Sequence, residues 1–257
     1  MARVHIENVS KSFPANRPGG HATEVLTDFS LDVADREFVV LFGPNACGKT
    51  TLLNAVSGII DLDSGRVEID GVAPSQAKIG YIFQNYRETI LPWARVLDNI
   101  AYPLALKGVE KKQRVERARK LLEKMRISIP MDIWPSQLSG GQQQLLVIAR
   151  ALTYEPNLML FDEPFSALDV QTRIQMQNTL QEIWAKTKAT ILFVSHEIDE
   201  AILLADRVVM LSKRPARPLD IIEVPFARPR TQKLLEAEEF FALRRRALKV
   251  FREAMTQ

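Results

Sequence analysis

The residues with the clearest chemistry lie at positions 43–50, where the sequence GPNACGKT fits the pattern G-x-x-x-x-G-K-[ST]. Loops of this type direct backbone N–H groups and a helix N-terminus at the phosphates of a nucleotide. Lys49 supplies a positive charge to the β- and γ-phosphates, and the Thr50 hydroxyl is a ligand for Mg²⁺. The predicted nucleotide contacts of this loop are Gly43, Pro44, Asn45, Ala46, Cys47, Gly48, Lys49, Thr50 and Thr51.

Two adjacent carboxylates follow an apolar strand predicted at residues 157–161. In a protein with a phosphate-binding loop, Asp162 would hold Mg²⁺ indirectly and Glu163 would polarise the attacking water as general base. The alternative interpretation is a pair of solvated acids at the end of a strand. Taken with the loop, the pair predicts hydrolysis of a nucleoside triphosphate.

The single cysteine, Cys47, lies inside the loop. It excludes an internal disulfide and is typical of a reducing compartment. Because a helix N-terminus favours the thiolate, we expect Cys47 to be reactive. A maleimide should then block ATP hydrolysis, and MgATP should protect.

The elements that position these residues predict an α/β fold. Short apolar strands alternate with helices, which indicates a mostly parallel sheet of the P-loop NTPase kind with helices on its faces. Residues 3–9 and 25–33 alternate polar and apolar side chains, which predicts an antiparallel β subdomain, with a turn-rich loop at 14–20. A nearly all-helical stretch predicts a helical subdomain at about 85–155 inside a nucleotide-binding domain spanning 1–230. Residues 231–252 are predicted to form the amphipathic helix of a C-terminal segment, 231–257.

The length and composition of the chain argue against several classes of function. The chain has 257 residues, 46% hydrophobic and 25% charged, as in an ordinary globular protein. The longest run without Asp, Glu, Lys or Arg, residues 133–149, contains three consecutive glutamines, so no membrane span is predicted. The N-terminus has no apolar core of signal-peptide length. Residues 213–257 are basic while the remainder of the chain is slightly acidic, which is unlike a nucleic-acid binder.

With LSGGQ at residues 138–142 added, the sequence resembles the nucleotide-binding subunit of an ATP-binding-cassette (ABC) transporter. The motifs stand in the family's order over nearly the whole chain: the loop at 43–51, Gln84, the signature at 138–142, the acidic pair at 162–163, and a histidine at 196. The resemblance implies a head-to-tail dimer. In it each ATP lies between the loop of one subunit and the signature of the other.

The resemblance also implies roles for further residues. Gln84 would touch Mg²⁺ and the attacking water and sense the membrane partner, and His196 would contact the γ-phosphate. Phe13 would stack on adenine, and Asp169 would reach across the dimer. The implied site residues outside the loop are Phe13, Gln84, Ser139, Gly140, Gly141, Gln142, Asp162, Glu163, Asp169 and His196, and the implied Mg²⁺ ligands are Thr50, Gln84 and Asp162.

Three positions depart from the family's pattern. Ala46 stands where many members have glycine, so backbone freedom in the loop is reduced. Leu145 replaces a common arginine after the signature, which removes a charge but no catalytic group. Phe13 lacks a hydroxyl, although its ring can still stack.

The segment Leu-Pro-Trp at 91–93 resembles the nitrate, sulfonate and taurine importer branch, where it lines the groove for the permease's coupling helix. The alternative interpretation of Trp93 is a packing side chain in a turn. The implied partners are a second copy or a homologous ATPase subunit, an integral permease and, indirectly, a periplasmic or lipid-anchored binding protein. The implied place is the cytoplasmic face of the inner membrane. The chain itself does not name the substrate.

Two other functions compete. One is a soluble ABC ATPase acting on DNA or ribosomes, but such proteins usually carry a coiled-coil insertion or two cassettes, for which 257 residues leave no room. The other is a nucleotide-binding regulatory module without turnover. That function predicts the loss of Glu163 or His196, and both are present.

Overall fold

The computed structural model describes residues 2–14 and 21–256. Its strands are β1 (Val4–Phe13), β2 (Thr23–Val33), β3 (Phe38–Phe42), β4 (Ser64–Ile69), β5 (Ile79–Ile82), β6 (Leu158–Asp162), β7 (Thr190–Ser195), β8 (Arg207–Leu211) and β9 (Pro218–Glu223). Its α-helices are α1 (Lys49–Ser57), α2 (Val96–Leu106), α3 (Lys111–Met125), α4 (Gly140–Leu152), α5 (Val170–Thr187), α6 (Ile198–Leu204) and α7 (Glu238–Thr256). The chain forms two compact units, Met1–Ala77 with Ala189–Gln257, and Lys78–Lys188.

The first unit contains the antiparallel sheet that the alternating residues predict. Its strand order is β2-β1-β4, and Val4 of β1 faces Val33 of β2. Val4 and Ile6 are buried, because alternate side chains of a strand point to the same face. Strand β1 continues beyond its predicted end as far as Phe13, which pairs with Thr23. The rest of the predicted loop, residues 15–20, lies outside the described residues.

The first unit also contains parallel strands, with β3 between β7 and β8. Every residue of β3 is buried, as expected of a short apolar run in a parallel sheet. Strand β9, antiparallel to β8, is absent from the sequence-based prediction. Its side chains are mostly exposed or half-buried, so its hydrophobic pattern is weak.

In the second unit β5 and β6 are parallel, with Ile82 opposite Phe161. Helices α2 and α3 precede α4, whose N-cap is Ser139. The predicted helical subdomain at about 85–155 lies inside this unit, whose bounds are wider. The fold is therefore α/β, with parallel strands, an antiparallel sheet and helices.

The C-terminal segment differs from the single helix predicted at 231–252. Gln232–Glu236 form a 3₁₀ turn, Ala237 is extended, and α7 begins only at Glu238. Within α7, Phe240 and Ala247 are buried while Phe241 is 46% exposed, so the helix has one buried side. Among the described residues, no helix is both long and apolar enough to cross a membrane.

Candidate active site

The phosphate-binding loop follows β3 and leads directly into α1, as the sequence predicts. Gly48 is the N-cap of α1 and has a φ of 125°, a value that favours glycine. A Cβ at this position would meet the carbonyl oxygen and a side-chain methyl of Val25 at 3.0 Å. Helix α1 therefore starts on bare backbone, and the N–H groups of its first turn have no acceptor within the helix.

The side chain of Lys49 folds back onto the phosphate-binding loop. Lys49 is only 5% exposed. Its ammonium donates to the carbonyl oxygens of Gly43 at 2.9 Å and Pro44 at 2.8 Å. These two bonds fix the ammonium beside the backbone that a phosphate would approach.

The loop contains a left-handed residue that is not glycine. Ala46 has a φ of 58°, which strains an L side chain. Its carbonyl oxygen accepts hydrogen bonds from Nε and Nη2 of Arg214, at 3.1 and 2.6 Å. Arg214 was not predicted as a site residue, because the contact joins positions 168 residues apart and no local sequence pattern indicates it.

The prediction of a reactive thiolate at Cys47 is wrong. The side chain is 2% exposed, and burial raises the pKa of its thiol above the ordinary value of 9.0. The charge of Lys49 acts in the opposite direction but is the smaller effect. The neutral thiol is therefore favoured, and the helix N-terminus does not overcome the loss of solvation.

The histidine at 196 shares a sheet edge with the loop. His196 follows Ser195 and Gly43 follows Phe42, and Phe42 is in register with Ser195. Both residues therefore emerge at the carboxyl ends of neighbouring parallel strands. His196 is exposed, while the Ser195 hydroxyl donates to the buried carboxylate of Glu200 at 2.6 Å.

Phe13 lines a small cavity in the same unit. The cavity has a volume of about 260 Å³, and Val25, Thr51 and Arg214 are among its other lining residues. The Phe13 ring is 39% exposed, and the Lys11 ammonium lies 5.6 Å from its centroid. An exposed ring beside a cavity is available to stack on a flat ligand.

In the second unit Gln84 meets Glu163. The amide nitrogen of Gln84 donates to a carboxylate oxygen of Glu163 at 3.2 Å. The two residues follow β5 and β6, whose residues Ile82 and Phe161 are in register. Glu163 has a φ of 44°, and strained backbone of this kind clusters at functional sites.

Asp162 is buried at the end of β6, with 2% of its surface exposed. Nearby, Tyr81 has a phenol pKa well above its usual range, first because it is buried and second because Asp162 carries a negative charge. The shift shows that the Asp162 carboxylate contributes a negative potential within this unit.

The signature residues form the start of α4. The hydroxyl of Ser139 accepts from the Gln142 N–H at 3.3 Å, and the Gln142 side chain accepts from the Ser139 N–H at 3.0 Å. This reciprocal capping box makes Ser139 the N-cap of α4. The Gly140 carbonyl accepts from the hydroxyl of the buried Tyr86 at 3.2 Å, a contact absent from the sequence-based predictions.

Helix α5 packs closely against the signature. A Cβ on Gly141 would lie 2.6 Å from the methyl group of Thr172, so this position accepts only glycine without rearrangement. Asp169 is the N-cap of α5, and its carboxylate accepts from the N–H and the hydroxyl of Thr172 at 3.0 and 2.7 Å. These bonds lower the pKa of Asp169.

A groove lies beside the segment that contains Trp93. Its volume is about 340 Å³, and Trp93, Tyr102 and Trp134 supply aromatic rings to it. Trp93 is 73% exposed and Trp134 is 42% exposed, so Trp93 is not a packing side chain.

The turn that contains Trp93 is held by hydrogen bonds from Asn99, which is fully buried. The Asn99 side chain accepts from the Leu91 N–H at 2.9 Å and donates to the carbonyls of Leu91 and Ala94 at 3.0 and 2.8 Å. One amide therefore ties both sides of this turn to α2.

Sequence comparison defines the class of protein. Residues 26–166 match the family described as ABC transporter. The chain is 40% identical to an uncharacterized ABC transporter ATP-binding protein of Methanocaldococcus jannaschii over 253 residues, which cover 98% of this chain and 92% of that protein. The chain therefore belongs to the ABC transporter family, whose members couple ATP binding and hydrolysis to transport.

Particular relatives include the taurine import ATP-binding protein TauB. The TauB of Escherichia coli (strain K12) is 42% identical over 205 residues, which cover 79% of this chain and 80% of the relative. The TauB of Rhizobium johnstonii is 41% identical over 227 residues, which cover 88% and 85%.

The fold is similar to that of a solved ATP-binding cassette in a dimeric post-hydrolysis state bound to ADP and Pi. The TM-score is 0.73 at 28% identity, over 87% of this chain and 100% of that one. A second dimeric structure of that same cassette matches with a TM-score of 0.73 at 27% identity.

Proposed function

We propose that this chain is the ATP-hydrolysing subunit of a prokaryotic ABC importer that drives a separate membrane permease. The cargo we propose is a small anion such as nitrate, a sulfonate or taurine. Two observations support this cargo class: taurine import stands in the names of relatives that share most of the chain, and the segment at 91–93 resembles the same importer branch.

The loop after β3 is the proposed phosphate cradle. The N-terminus of α1 carries a partial positive charge that favours anions. The Lys49 ammonium has three donors, and two of them bind loop carbonyls in the described structure. We assign the third donor to a phosphate oxygen of ATP. The exposed ring of Phe13 is assigned to the adenine.

The contact between Gln84 and Glu163 carries the catalytic part of the proposal. A carboxylate held by an amide 3.2 Å away has a fixed orientation, which a general base needs. Glu163 aligns a water molecule and takes its proton as the water oxygen attacks the γ-phosphorus. The bond from the γ-phosphorus to the bridging oxygen breaks, and ADP leaves with that electron pair. His196 contacts the γ-phosphate.

The residues fit Mg²⁺ as the metal partner of ATP. The proposed donors are the Thr50 hydroxyl, the Gln84 amide and the Asp162 carboxylate, and hard oxygen donors are those that Mg²⁺ prefers. In the described part of the chain, no group of three His, Cys, Asp or Glu residues is placed to hold a metal ion. This fits a cation bound by one carboxylate together with substrate phosphates. Bound there, Mg²⁺ would neutralise charge that develops on the phosphates.

A second copy or a homologous ATPase subunit completes the proposed site. The start of α4, with Ser139, Gly140 and Gly141, presents bare backbone and a positive helix end to the γ-phosphate bound by the partner. Gln142 supports this turn through the capping box. Asp169, exposed at the start of α5, is assigned a contact across the dimer. The dimeric solved cassettes support this arrangement.

The groove beside Trp93 is the proposed docking site for the permease's coupling helix. An exposed tryptophan flanked by other aromatic rings is typical of an interface anchor. Docking there would place the chain on the cytoplasmic face of the inner membrane. A periplasmic or lipid-anchored binding protein would deliver the substrate to the permease without touching this chain.

Co-purification of the chain with its permease tests this function. Trp93→Ala should bind MgATP as the parent chain does but lose most of the co-purifying permease, since truncating an interface anchor typically costs at least ~2 kcal/mol of binding. Leu106→Ala is the matched control, because Leu106 is 71% exposed on α2 and does not line the groove.

Three results would change the proposal. If Trp93→Ala unfolds the isolated chain, the tryptophan is a packing residue. Equal loss of permease in Leu106→Ala would show that the groove is not the contact. A chain that hydrolyses ATP but never recovers a permease would favour a soluble ABC ATPase acting outside transport.

A further inference from the structure

The left-handed conformation of Ala46 in the phosphate-binding loop is energetically unfavourable. At a φ of 58°, the Cβ of an L residue crowds the following carbonyl oxygen. Such a conformation is disfavoured roughly 5- to 30-fold relative to ordinary backbone. Glycine has no such penalty. With alanine at this position, something outside the residue must stabilise the conformation.

The side chain of Arg214 contacts the carbonyl group of Ala46 and can stabilise this conformation. Its guanidinium places two nitrogens, Nε and Nη2, at 3.1 and 2.6 Å from the same Ala46 carbonyl oxygen. Because the peptide unit is planar, fixing this oxygen also fixes the orientation of the peptide group that leads to Cys47. Two donors on one rigid, permanently charged plane restrict that group more than a single flexible donor would.

The loop that carries Arg214 is itself well ordered. It comprises residues 212–217, between β8 and β9. The Ser212 hydroxyl lies 2.9 Å from the Pro215 carbonyl and accepts from the Arg217 N–H at 2.9 Å. The Ala216 N–H donates to the Val25 carbonyl of β2 at 2.8 Å. The backbone that carries Arg214 is therefore held in place by these hydrogen bonds.

We propose that Arg214 is a positioning residue for the phosphate-binding loop, and that it stabilises the left-handed Ala46 in the place of a glycine. This inference rests on the proposed role of the loop in binding nucleotide. Arg214 acts through the Ala46 carbonyl, not through the phosphates. When only a fraction of molecules has the competent loop, the apparent dissociation constant rises by the inverse of that fraction.

The test is a double-mutant cycle on the full chain, read by isothermal titration with MgADP. Arg214→Ala should raise the Kd about 5- to 10-fold, because the left-handed conformation then loses its support. In the Ala46→Gly chain the same change should raise the Kd less than about twofold, since glycine adopts this conformation readily. The KM for MgATP should follow the Kd, with kcat changed less than about twofold.

Arg217→Ala is the matched control. It removes an equal charge from the same loop and leaves the backbone N–H that binds Ser212, so the Kd should stay within about twofold. Arg214 is exposed, and thermal unfolding should show that its variants fold. If Arg214→Ala does not fold, Arg214→Gln replaces it in both chains.

Three results would overturn the inference. Equal loss of affinity in the parent and Ala46→Gly chains, or an equal loss in Arg217→Ala, would assign the effect to general attraction between the loop and the phosphates. An unchanged Kd in Arg214→Ala would remove the residue from nucleotide binding. A parent chain that does not bind MgADP would instead refute the proposed function of the loop.

Discussion

Side chains within the phosphate-binding loop differ sharply in what surrounds them. Asn45 and Ala46 are exposed, whereas Cys47 and Lys49 are buried. Lys49 meets two carbonyls that stabilise its charge. Cys47 meets an environment that raises its pKa. Both side chains lose contact with water, but only the Lys49 ammonium has two carbonyl acceptors that compensate for this loss.

This environment changes the prediction for thiol chemistry. The thiolate is the reactive form, and a raised pKa leaves less of it at pH 7. We expect a maleimide to label native Cys47 more than about tenfold slower than the urea-unfolded chain, because exposing the thiol requires opening that costs at least ~1.4 kcal/mol. Labelling should accelerate as the pH rises toward and beyond 9.0. Equal rates in the native and unfolded chains would show that the thiol is exposed.

The position of the phosphate-binding loop was predicted from a local pattern, and the loop lies between β3 and α1 as expected. The cap at Ser139 follows from a serine three residues before Gln142, and a capping box needs only those neighbours. The partners of Ala46 and Gly140, namely Arg214 and Tyr86, could not be predicted, because each contact depends on how distant segments pack. No single residue type marks such a partner in one sequence.

At the scale of elements, the contact between α4 and α5 limits the signature. Gly141 leaves no room for a Cβ beside the Thr172 methyl. The Thr172 hydroxyl is held by Asp169 at 2.7 Å, so the methyl cannot turn away without breaking that bond. The Thr172 side chain thereby lies between the first turn of α4 and the N-cap of α5.

Gly141→Ala should therefore destabilise the chain. Alanine is the better helix former by up to ~1 kcal/mol, but overpacking typically costs about 1–3 kcal/mol. We expect a net loss of about 1 kcal/mol in the free energy of unfolding, measured by urea titration. In a Thr172→Ser chain, which keeps the hydroxyl and lacks the methyl, Gly141→Ala should be neutral or stabilising. The same loss in both chains would refute the steric account.

Elements were predicted where apolar residues form a continuous run or a clear alternation, and missed where neither pattern is present. Strand β3 is buried throughout, and its apolar run predicts it directly. Strand β9 has one buried residue among exposed and half-buried ones, which leaves too little periodicity to detect. The 3₁₀ turn at Gln232–Glu236 carries helix-forming residues, so only the extended Ala237 separates it from α7.

For the whole molecule, the proposed function predicts association driven by ATP. Glu163→Gln keeps the shape of the side chain but removes a base. The loss of a positioned general base typically lowers the rate about 10²–10⁴-fold, while the phosphate contacts of Lys49 remain. The variant should therefore accumulate as a closed dimer in MgATP, seen by size-exclusion chromatography alongside phosphate release.

The matched control is Glu163→Gln with Lys49→Ala, which should stay monomeric because the phosphate is no longer held. Turnover near the parent rate would remove Glu163 from the mechanism. A variant that is inactive but monomeric in MgATP would keep Glu163 as the base and argue against a nucleotide sandwiched between two subunits.

The hydrogen bonds of Asn99 have a consequence for how the groove would bind the proposed permease. The turn below Trp93 is already ordered before any partner arrives, so the conformational entropy of that turn is not lost upon association. Because this turn is already ordered, the groove needs no rearrangement before the permease binds. Substitutions in the groove should then shorten the lifetime of the complex while changing its rate of formation little.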